Sequence, residues 1–296
     1  MKACVKEMQF FELPDKRQLC FAEYGDYTGF PIVYCHGFPA CRLEAKLAET
    51  EARRLGLRLI SIDRPGFGRS DFMPKRTMLD WPDDVIALMD HLRIEKFSVL
   101  GVSGGAPHAM SCALRLCERI CTLGLVCGLG RLGDPQFPYK IRKPFSLLVK
   151  LFKSSPKVGF WVTRQLVGRL LTSFPASVFI LIKNLASAED KKLLSDPLVG
   201  SMIQNSYKEA FYQGSEGPAW EFYLFIQPWG FDLQQIKANT YLWHGDNDRT
   251  VPLAMGQHHA ELIPHAQLKI FPGEGHFTVP IRYAGEILQT LRAAKP

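Results

Sequence analysis

Short apolar runs alternate with amphipathic stretches through the first part of the chain. The runs predict β-strands at 8–13, 18–24, 31–35, 57–62, 96–101 and 120–127. Apolar positions at helical spacing lie between the later runs, at 41–55, 81–93 and 104–118. Strands that are apolar throughout are buried on both faces, so the alternation predicts an α/β fold with a mostly parallel sheet flanked by helices. The first two runs are too close for a crossover helix and predict an antiparallel hairpin at the sheet edge.

The pattern changes after Cys127. Residues 131–235 have a helical texture interrupted by eight prolines. The strand–helix alternation then returns, with strands at 239–244 and 267–271 and helices at 252–263 and from about 279 to 293. We therefore expect one α/β core made of residues 1–130 and 236–296. Residues 131–235 are expected to form a helical cap inserted after the sixth strand.

One hydroxyl stands at a strand-to-helix junction. The segment "GVSGG" places Ser103 after the strand at 96–101 and before the helix at 104–118, with Gly101 and Gly105 as small neighbours. A sharp turn of this kind holds a serine at the N-terminus of a helix, where backbone N–H groups stabilise a developing oxyanion. The pattern predicts that Ser103 is a nucleophile.

A serine nucleophile needs a base and an orienting carboxylate. The segment "HGDNDRTVP" after the strand at 239–244 offers Asp246 and Asp248, and "GEGHF" after the strand at 267–271 offers His276. Both segments follow the carboxyl ends of strands, where open α/β sheets place their ligands. In "HGFPA", after the strand at 31–35, the backbone N–H of Phe38 is expected to form an oxyanion hole together with that of Gly104.

These segments resemble the α/β-hydrolase superfamily, in the branch with an HG-x-P oxyanion loop and a helical cap. The resemblance covers residues 1–130 and 228–296 and rests on "HGFPA", "DRPGFGRSD", "GVSGGAPHA", "HGDNDRTVP" and "GEGHF". The family pattern G-x-x-D-x-x-V-P places the acid at Asp248, with Asp246 as the alternative. The resemblance therefore implies a Ser103, His276 and Asp248 triad.

The resemblance also implies the reaction class. Relatives that open epoxides or remove halide carry an aspartate at the strand-to-helix turn. The serine at this position, Ser103, indicates acyl transfer through an acyl-enzyme. We expect hydrolysis of a carboxylic ester or thioester of small to medium size. The alternatives are a C–C bond hydrolase, an amidase or aminopeptidase using the same triad, and a receptor-like binding protein with little turnover. Trp220 and Phe225, in the aromatic stretch 219–231, are candidates to line the substrate site.

The positive charge of the chain is concentrated in the insertion. The formal net charge is +7, and residues 139–186 carry nine Lys and Arg with no Asp or Glu. No nucleic-acid-binding signature accompanies them, so no nucleic acid is expected. Three interpretations remain open: a solvated face of amphipathic helices, attraction of an acidic substrate, or peripheral contact with an anionic membrane surface.

The remaining polar residues suggest no cofactor. The eight cysteines show no paired metal-binding spacing and are interpreted as core residues of a cytoplasmic protein. We expect no metal and no cofactor; the sequence leaves the oligomeric state open. Asp63 is expected to hold the 64–70 loop, His36 to fix the oxyanion loop, and His108 and His244 to be packed inside. The adjacent His258 and His259 are expected at the surface.

Overall fold

The computed structural model describes residues 6–134, 143, 145–173 and 175–293. Its centre is an eight-stranded sheet in the order β1-β2-β4-β3-β5-β6-β7-β8. The strands are β1 (Lys6–Glu12), β2 (Gln18–Gly25), β3 (Phe30–Cys35), β4 (Leu57–Ile62), β5 (Phe97–Val102), β6 (Ile120–Val126), β7 (Asn239–Gly245) and β8 (Gln267–Phe271). Each predicted strand is present, with its ends shifted by two residues at most.

The pairing agrees with the predicted fold class. β1 and β2 form an antiparallel hairpin at one edge, and β2 also pairs antiparallel with β4. From β4 to β8 every neighbouring pair is parallel. The carboxyl ends of β3, β5, β7 and β8 therefore lie along one edge of the sheet, where the loops with the predicted chemistry begin.

The sheet is covered on both faces because its central strands are apolar throughout. Val33, Ile60 and Val99 pack into one core, while their chain neighbours Ile32, Leu59 and Leu100 pack into a second core on the opposite face. Successive side chains of a strand point to opposite faces, so an unbroken apolar run fills both cores.

Thirteen α-helices are described. They are α1 (Glu49–Arg54), α2 (Trp81–His91), α3 (Ala106–Arg115), α4 (Phe145–Ser154), α5 (Pro156–Val162), α6 (Gly168–Ser173), α7 (Pro175–Leu185), α8 (Ala188–Leu194), α9 (Pro197–Ala210), α10 (Glu216–Ile226), α11 (Leu253–Leu262), α12 (Thr278–Arg282) and α13 (Ala284–Ala293). None of the helices in these ranges has the length and apolar character needed to cross a bilayer.

Three predicted helices differ in detail. The stretch 41–55 begins as a 3₁₀ helix, Arg42–Ala48, before α1. Ser103–Gly105 is likewise a 3₁₀ turn ahead of α3. The last predicted helix is divided into α12 and α13 at Tyr283, whose ring packs 4.0 Å from that of Phe271.

Helices α4 to α10 lie between β6 and β7, where an insertion is predicted. Phe152 of α4 is fully buried, with its ring 5.7 Å from Phe222 and 6.0 Å from Tyr223 of α10. Phe152 and Phe222 belong to the same buried cluster as the sheet residue Val99. The inserted helices therefore share a core with the sheet. The boundaries at 130/131 and 235/236 stay a prediction.

Two predictions about burial need correction. His258 and His259 are not at the surface, since they are only 7% and 1% exposed on α11. α11 packs its His259 side against the sheet, and burial lowers the pKa of this imidazole to about 3. Of the cysteines expected in the core, Cys117 is exposed and Cys121 is partly exposed, while Cys4 lies outside the described residues. The other five are buried.

Candidate active site

Ser103 lies at a tight turn between β5 and α3. Its φ is +53°, in a region that residues with a side chain seldom adopt. The turn leaves no space at the two flanking positions: a Cβ at Gly105 would lie 2.0 Å from the Cys35 carbonyl oxygen, and one at Gly101 2.7 Å from the Ala109 side chain. The glycines of "GVSGG" are therefore required by close packing around the serine.

A continuous hydrogen-bond chain joins the three predicted triad residues. Ser103 Oγ is 3.0 Å from His276 Nε2, and His276 Nδ1 is 2.7 Å from Asp248 Oδ2. The other carboxylate oxygen of Asp248 accepts N–H bonds from Thr250 and Val251, both at 2.8 Å. These two bonds fix the carboxylate, which in turn orients the imidazole toward the serine.

The charges around these three hydrogen-bonded residues favour a proton acceptor at His276. Burial lowers the pKa of His276, but the negative Asp248 carboxylate more than reverses this effect, so the pKa is raised above 6.5. Burial raises the pKa of Asp248, and the neighbouring His276 and His244 bring it far below its usual value. Asp248 therefore stays ionised while His276 gains and loses a proton.

The backbone of Phe38 lies close to Gly104, the residue after Ser103. A Cβ at Gly104 would lie 3.2 Å from the backbone nitrogen of Phe38, which shows how closely the two segments approach. In the described part of the chain no acceptor pairs with the N–H of Phe38. The Gly37 N–H donates to Glu44 at 2.6 Å, and this bond fixes the loop. Phe38 and Gly104 are therefore neighbours in space, and an oxyanion hole formed by their N–H groups stays a prediction.

A buried network of ion pairs binds the backbone of the oxyanion loop. The Arg64 guanidinium donates to the carbonyl oxygens of His36 and Gly37, at 2.5 and 3.3 Å, and to Glu221 Oε1 at 2.6 Å. Arg76 donates to the other Glu221 oxygen. Although burial raises the pKa of Glu221, the two arginines and His108 hold it well below its usual range. A carboxylate of α10 thus anchors the loop that carries Phe38.

A second carboxylate from the inserted helices holds the histidine loop. Asp190 of α8 is 1% exposed and accepts the backbone N–H groups of His276, Phe277 and Thr278, each at 2.9 Å. The same carboxylate occupies the space beside Gly275, where a Cβ would lie 2.1 Å from it. Asp190 thereby fixes the start of α12 and the position of His276.

Sequence reasoning missed Asp190, Glu221 and Glu44. Each lies in a segment without a recognisable motif, and Asp190 and Glu221 are also far along the chain from the groups they bind. The one available signal is that Asp190 follows Ser187 at helix-capping distance, and Ser187 does accept the Asp190 N–H. That signal predicts a helix start and gives no reason to connect Asp190 with His276.

Asp246, Phe225 and Trp220 differ in how close they lie to the triad. Asp246 accepts the Gly273 N–H at 2.7 Å and does not contact His276, so Asp248 is the carboxylate at the imidazole. Phe225 lies beside the serine loop, since a Cβ at Gly104 would be 3.0 Å from its Cζ. The Trp220 indole instead donates to the Arg76 carbonyl at 2.9 Å and packs against Tyr223. A substrate contact at Trp220 stays a prediction.

Two further predictions concern hydrogen-bonding roles. Asp63 accepts the backbone N–H of Arg69 at 3.0 Å, as expected for the 64–70 loop, and also binds Arg42. His36 is buried and its Nδ1 lies 2.9 Å from the Gly37 carbonyl. Burial, together with the nearby Arg64 charge, lowers the pKa of His36 well below its usual value. A neutral His36 is consistent with a supporting role in the loop.

A metal-like grouping coincides with the triad. Cys127 Sγ, Asp248 and His276 place donor atoms within 4.8 Å of one another. Asp248 and His276 already bind each other, and burial followed by the Asp248 charge raises the pKa of the Cys127 thiol well above its usual value. The protonated thiol lies beside the Asp248 carboxylate. Cys127 is therefore better described as a neighbour of the triad acid than as a metal ligand.

Comparison with known proteins gives the class of this fold and site. The model of the alpha/beta hydrolase fold family matches residues 31–281. The chain therefore belongs to the α/β-hydrolase family.

Similar proteins within this family differ in reaction. The chain is 30% identical over 233 residues to a 2-hydroxy-6-oxononadienedioate/2-hydroxy-6-oxononatrienedioate hydrolase of Comamonas testosteroni, covering 76% of this chain and 72% of that protein. It is 26% identical to a non-heme haloperoxidase of Rhodococcus erythropolis, covering 91% and 93%. A solved esterase from Exiguobacterium antarcticum superposes with a TM-score of 0.73 at 20% identity, covering 97% and 99%, which shows the shared fold.

Proposed function

We propose that this protein is a serine hydrolase that cleaves carboxylic esters or thioesters of small to medium acyl size. The observation that carries the proposal is the hydrogen-bonded sequence from Asp248 through His276 to Ser103 at the strained turn. A serine hydroxyl becomes an effective nucleophile when a base and an orienting carboxylate are placed in this way.

The reaction follows from the positions of these atoms. Ser103 Oγ attacks the carbonyl carbon as its proton passes to His276 Nε2, and the N–H groups of Phe38 and Gly104 bind the resulting oxyanion. The C–O or C–S bond then breaks, and the leaving alcohol or thiol takes the proton from His276. Water, deprotonated by His276, attacks the acyl-enzyme and releases the acid with Ser103 restored.

A second candidate is hydrolysis of a C–C bond next to a carbonyl. The 30% identical relative from Comamonas testosteroni is a hydrolase of this kind of dienoate substrate, and the same triad suits the reaction. Such substrates carry carboxylates. The two buried arginines beside the oxyanion loop, Arg64 and Arg76, are both engaged by Glu221, which favours the ester proposal.

The inserted helices are proposed to form a lid that selects the substrate. Phe225 of α10 lies against the serine loop, and Phe222 of the same helix packs 6.2 Å from the ring of Phe38. These rings would give the acyl group a mostly apolar surface and exclude water from the oxyanion.

The direct test uses p-nitrophenyl esters graded from acetate to laurate, with a 2-hydroxy-6-oxo-dienoate as the competing substrate. A fluorophosphonate probe should label the natural protein and leave Ser103→Ala unlabelled. Ser111→Ala, in the buried part of α3, is the matched serine control and should keep both labelling and turnover. Equal labelling of the Ser103→Ala protein would reject the nucleophile, and faster turnover of the dienoate than of every ester would select the second candidate.

A further inference from the structure

Exposed apolar side chains are concentrated in one part of the described chain. Among the described residues fourteen large apolar side chains are exposed, and nine of them lie between residues 145 and 185. Exposed apolar residues that occur singly are ordinary, but nine of them within residues 145–185 indicate a region that contacts something other than water. The nine are Phe145, Leu147, Val158, Trp161, Leu166, Leu170, Ile180, Leu181 and Leu185. We call the exposed side chains of residues 145–185 the α4–α7 surface.

The same stretch carries only positive charge. Residues 139–186 contain nine Lys and Arg and no Asp or Glu, although Lys140 and Arg142 lie outside the described residues. Lys150, Lys153 and Lys157 are exposed, and the structure gives them no carboxylate partner among the residues it describes. By contrast, the exposed Arg115 on α3 has a carboxylate partner, Asp83, at 2.9 Å.

Helical geometry brings the two kinds of side chain together. α5, a π-helical turn at Thr163–Val167, and α6 follow one another from Pro156 to Ser173. At 1.5 Å per residue this segment is roughly 27 Å long. Trp161 is 57% exposed, and Lys157 and Val158 precede it by one turn, on the same side of the helix. Gly159 and Thr163 are buried on the opposite side.

A lipid surface satisfies both properties at once. Anionic headgroups attract unpaired lysines, while the boundary between headgroups and acyl chains accepts aliphatic side chains and an indole ring. A second copy of the chain would bring two lysine-rich faces together without any acidic residue of this stretch between them. We propose that the α4–α7 surface binds membranes that contain anionic phospholipids.

Aromatic ring contacts connect Phe145 of this surface to Phe38 of the site through the buried Phe222. The ring of Phe222 lies 6.4 Å from Phe145 and 5.7 Å from Phe152 on one side, and 6.2 Å from Phe38 on the other. Binding through α4 to α7 would therefore place the helices that cover Ser103 at the lipid boundary. Membrane binding itself does not depend on the reaction that Ser103 performs.

Vesicle flotation with the full-length protein tests the proposal. We expect binding to vesicles of phosphatidylcholine with about a third phosphatidylserine, weak binding to phosphatidylcholine alone, and loss of binding as salt rises toward about 0.5 M. Each lysine near an anionic surface contributes roughly a fivefold change in partitioning. Lys150→Glu/Lys153→Glu/Lys157→Glu should therefore reduce binding by about a hundredfold or more.

A matched triple separates local contact from net charge. Lys75→Glu/Lys208→Glu/Lys237→Glu changes three exposed lysines elsewhere and should bind vesicles like the natural protein. Trp161→Ala should weaken binding, and brominated lipid should quench the fluorescence of the natural protein more than that of Trp161→Ala. Equal losses in both triples, or no binding to anionic vesicles, would overturn the proposal. Concentration-dependent dimers abolished by Trp161→Ala would show that a second copy covers this surface instead.

Discussion

His276 is held by two carboxylates that come from different regions of the molecule. Asp248 follows β7 in the α/β core and contacts the imidazole at 2.7 Å. Asp190 lies on α8 of the inserted helices and contacts only backbone N–H groups, those of residues 276–278. Both carboxylates are buried and lie at ordinary hydrogen-bond distance from their donors. Asp248 acts on the imidazole that exchanges a proton, whereas Asp190 fixes the position of that imidazole through the backbone.

The inserted helices supply carboxylates that hold loops of the site. Asp190 holds the histidine loop, and Glu221 holds the oxyanion loop through Arg64. Two of the loops that define the site therefore depend on carboxylates outside the α/β core. Movement of α8 or α10 would be transmitted directly to His276 and Phe38.

The largest expected effect comes from the core carboxylate. Asp248→Asn should lower kcat/KM by about 10⁴-fold, because an amide neither orients the imidazole in the required tautomer nor stabilises its charged form. Steady-state kinetics on the best ester measures this loss. Asp246→Asn is the matched control and should cost less than about tenfold, since Asp246 contacts only the Gly273 N–H. A reversed ranking would assign the acid to Asp246.

Removal of the Asp190 carboxylate should lower activity less than removal of Asp248, and it should also lower stability. Asp190→Asn turns one acceptor into an amide N–H that faces a backbone donor, so the free energy of unfolding should fall by about 2 kcal/mol. Displacement of His276 should lower kcat by about 100-fold with little change in KM. Urea denaturation and kinetics measure the two effects. Glu189→Gln, at the neighbouring exposed position, should change stability by less than about 0.5 kcal/mol. An unchanged kcat in Asp190→Asn would reduce Asp190 to a structural role.

Phe225 of α10 should affect selectivity for acyl length by about tenfold. Phe225→Leu removes ring volume beside Gly104, so kcat/KM for longer acyl esters should rise relative to acetate by about that factor. Trp220→Phe removes a hydrogen bond to the Arg76 carbonyl and should change the profile by less than about threefold. The graded ester panel measures both, and equal effects would place Trp220 in the substrate site as well.

The smallest expected effect is a shift in the pH dependence of kcat/KM. His276 accepts a proton only when neutral, and its pKa is raised above 6.5, so kcat/KM should fall on the acid side with a midpoint above pH 6.5. Asp190 also raises the pKa of His276 through its charge. Removing that charge in Asp190→Asn should move the midpoint to lower pH, whereas Glu189→Gln should leave it unchanged. A midpoint below pH 6.5 in the natural protein would contradict the role of His276 as base.

The sequence predicts the core and the three residues of the hydrogen-bond chain because the information there is local. Apolar runs define the strands, and the loops that carry Ser103, Asp248 and His276 follow strand ends. Parallel strands bring their carboxyl ends to one edge of the sheet, so order along the chain is enough to predict proximity. The glycines around Ser103 are required by close backbone packing within the same turn.

The long-range partners were decided only by the tertiary structure. Asp190 and His276 are separated by 86 residues, and Arg64 and Glu221 by 157, and no periodic pattern links either pair. The burial of His258 and His259 also depends on which side of α11 meets the sheet, because polar side chains do not reveal this by hydropathy. Local periodicity specifies strands and helices, whereas the pairing of buried polar groups depends on how those elements pack in three dimensions.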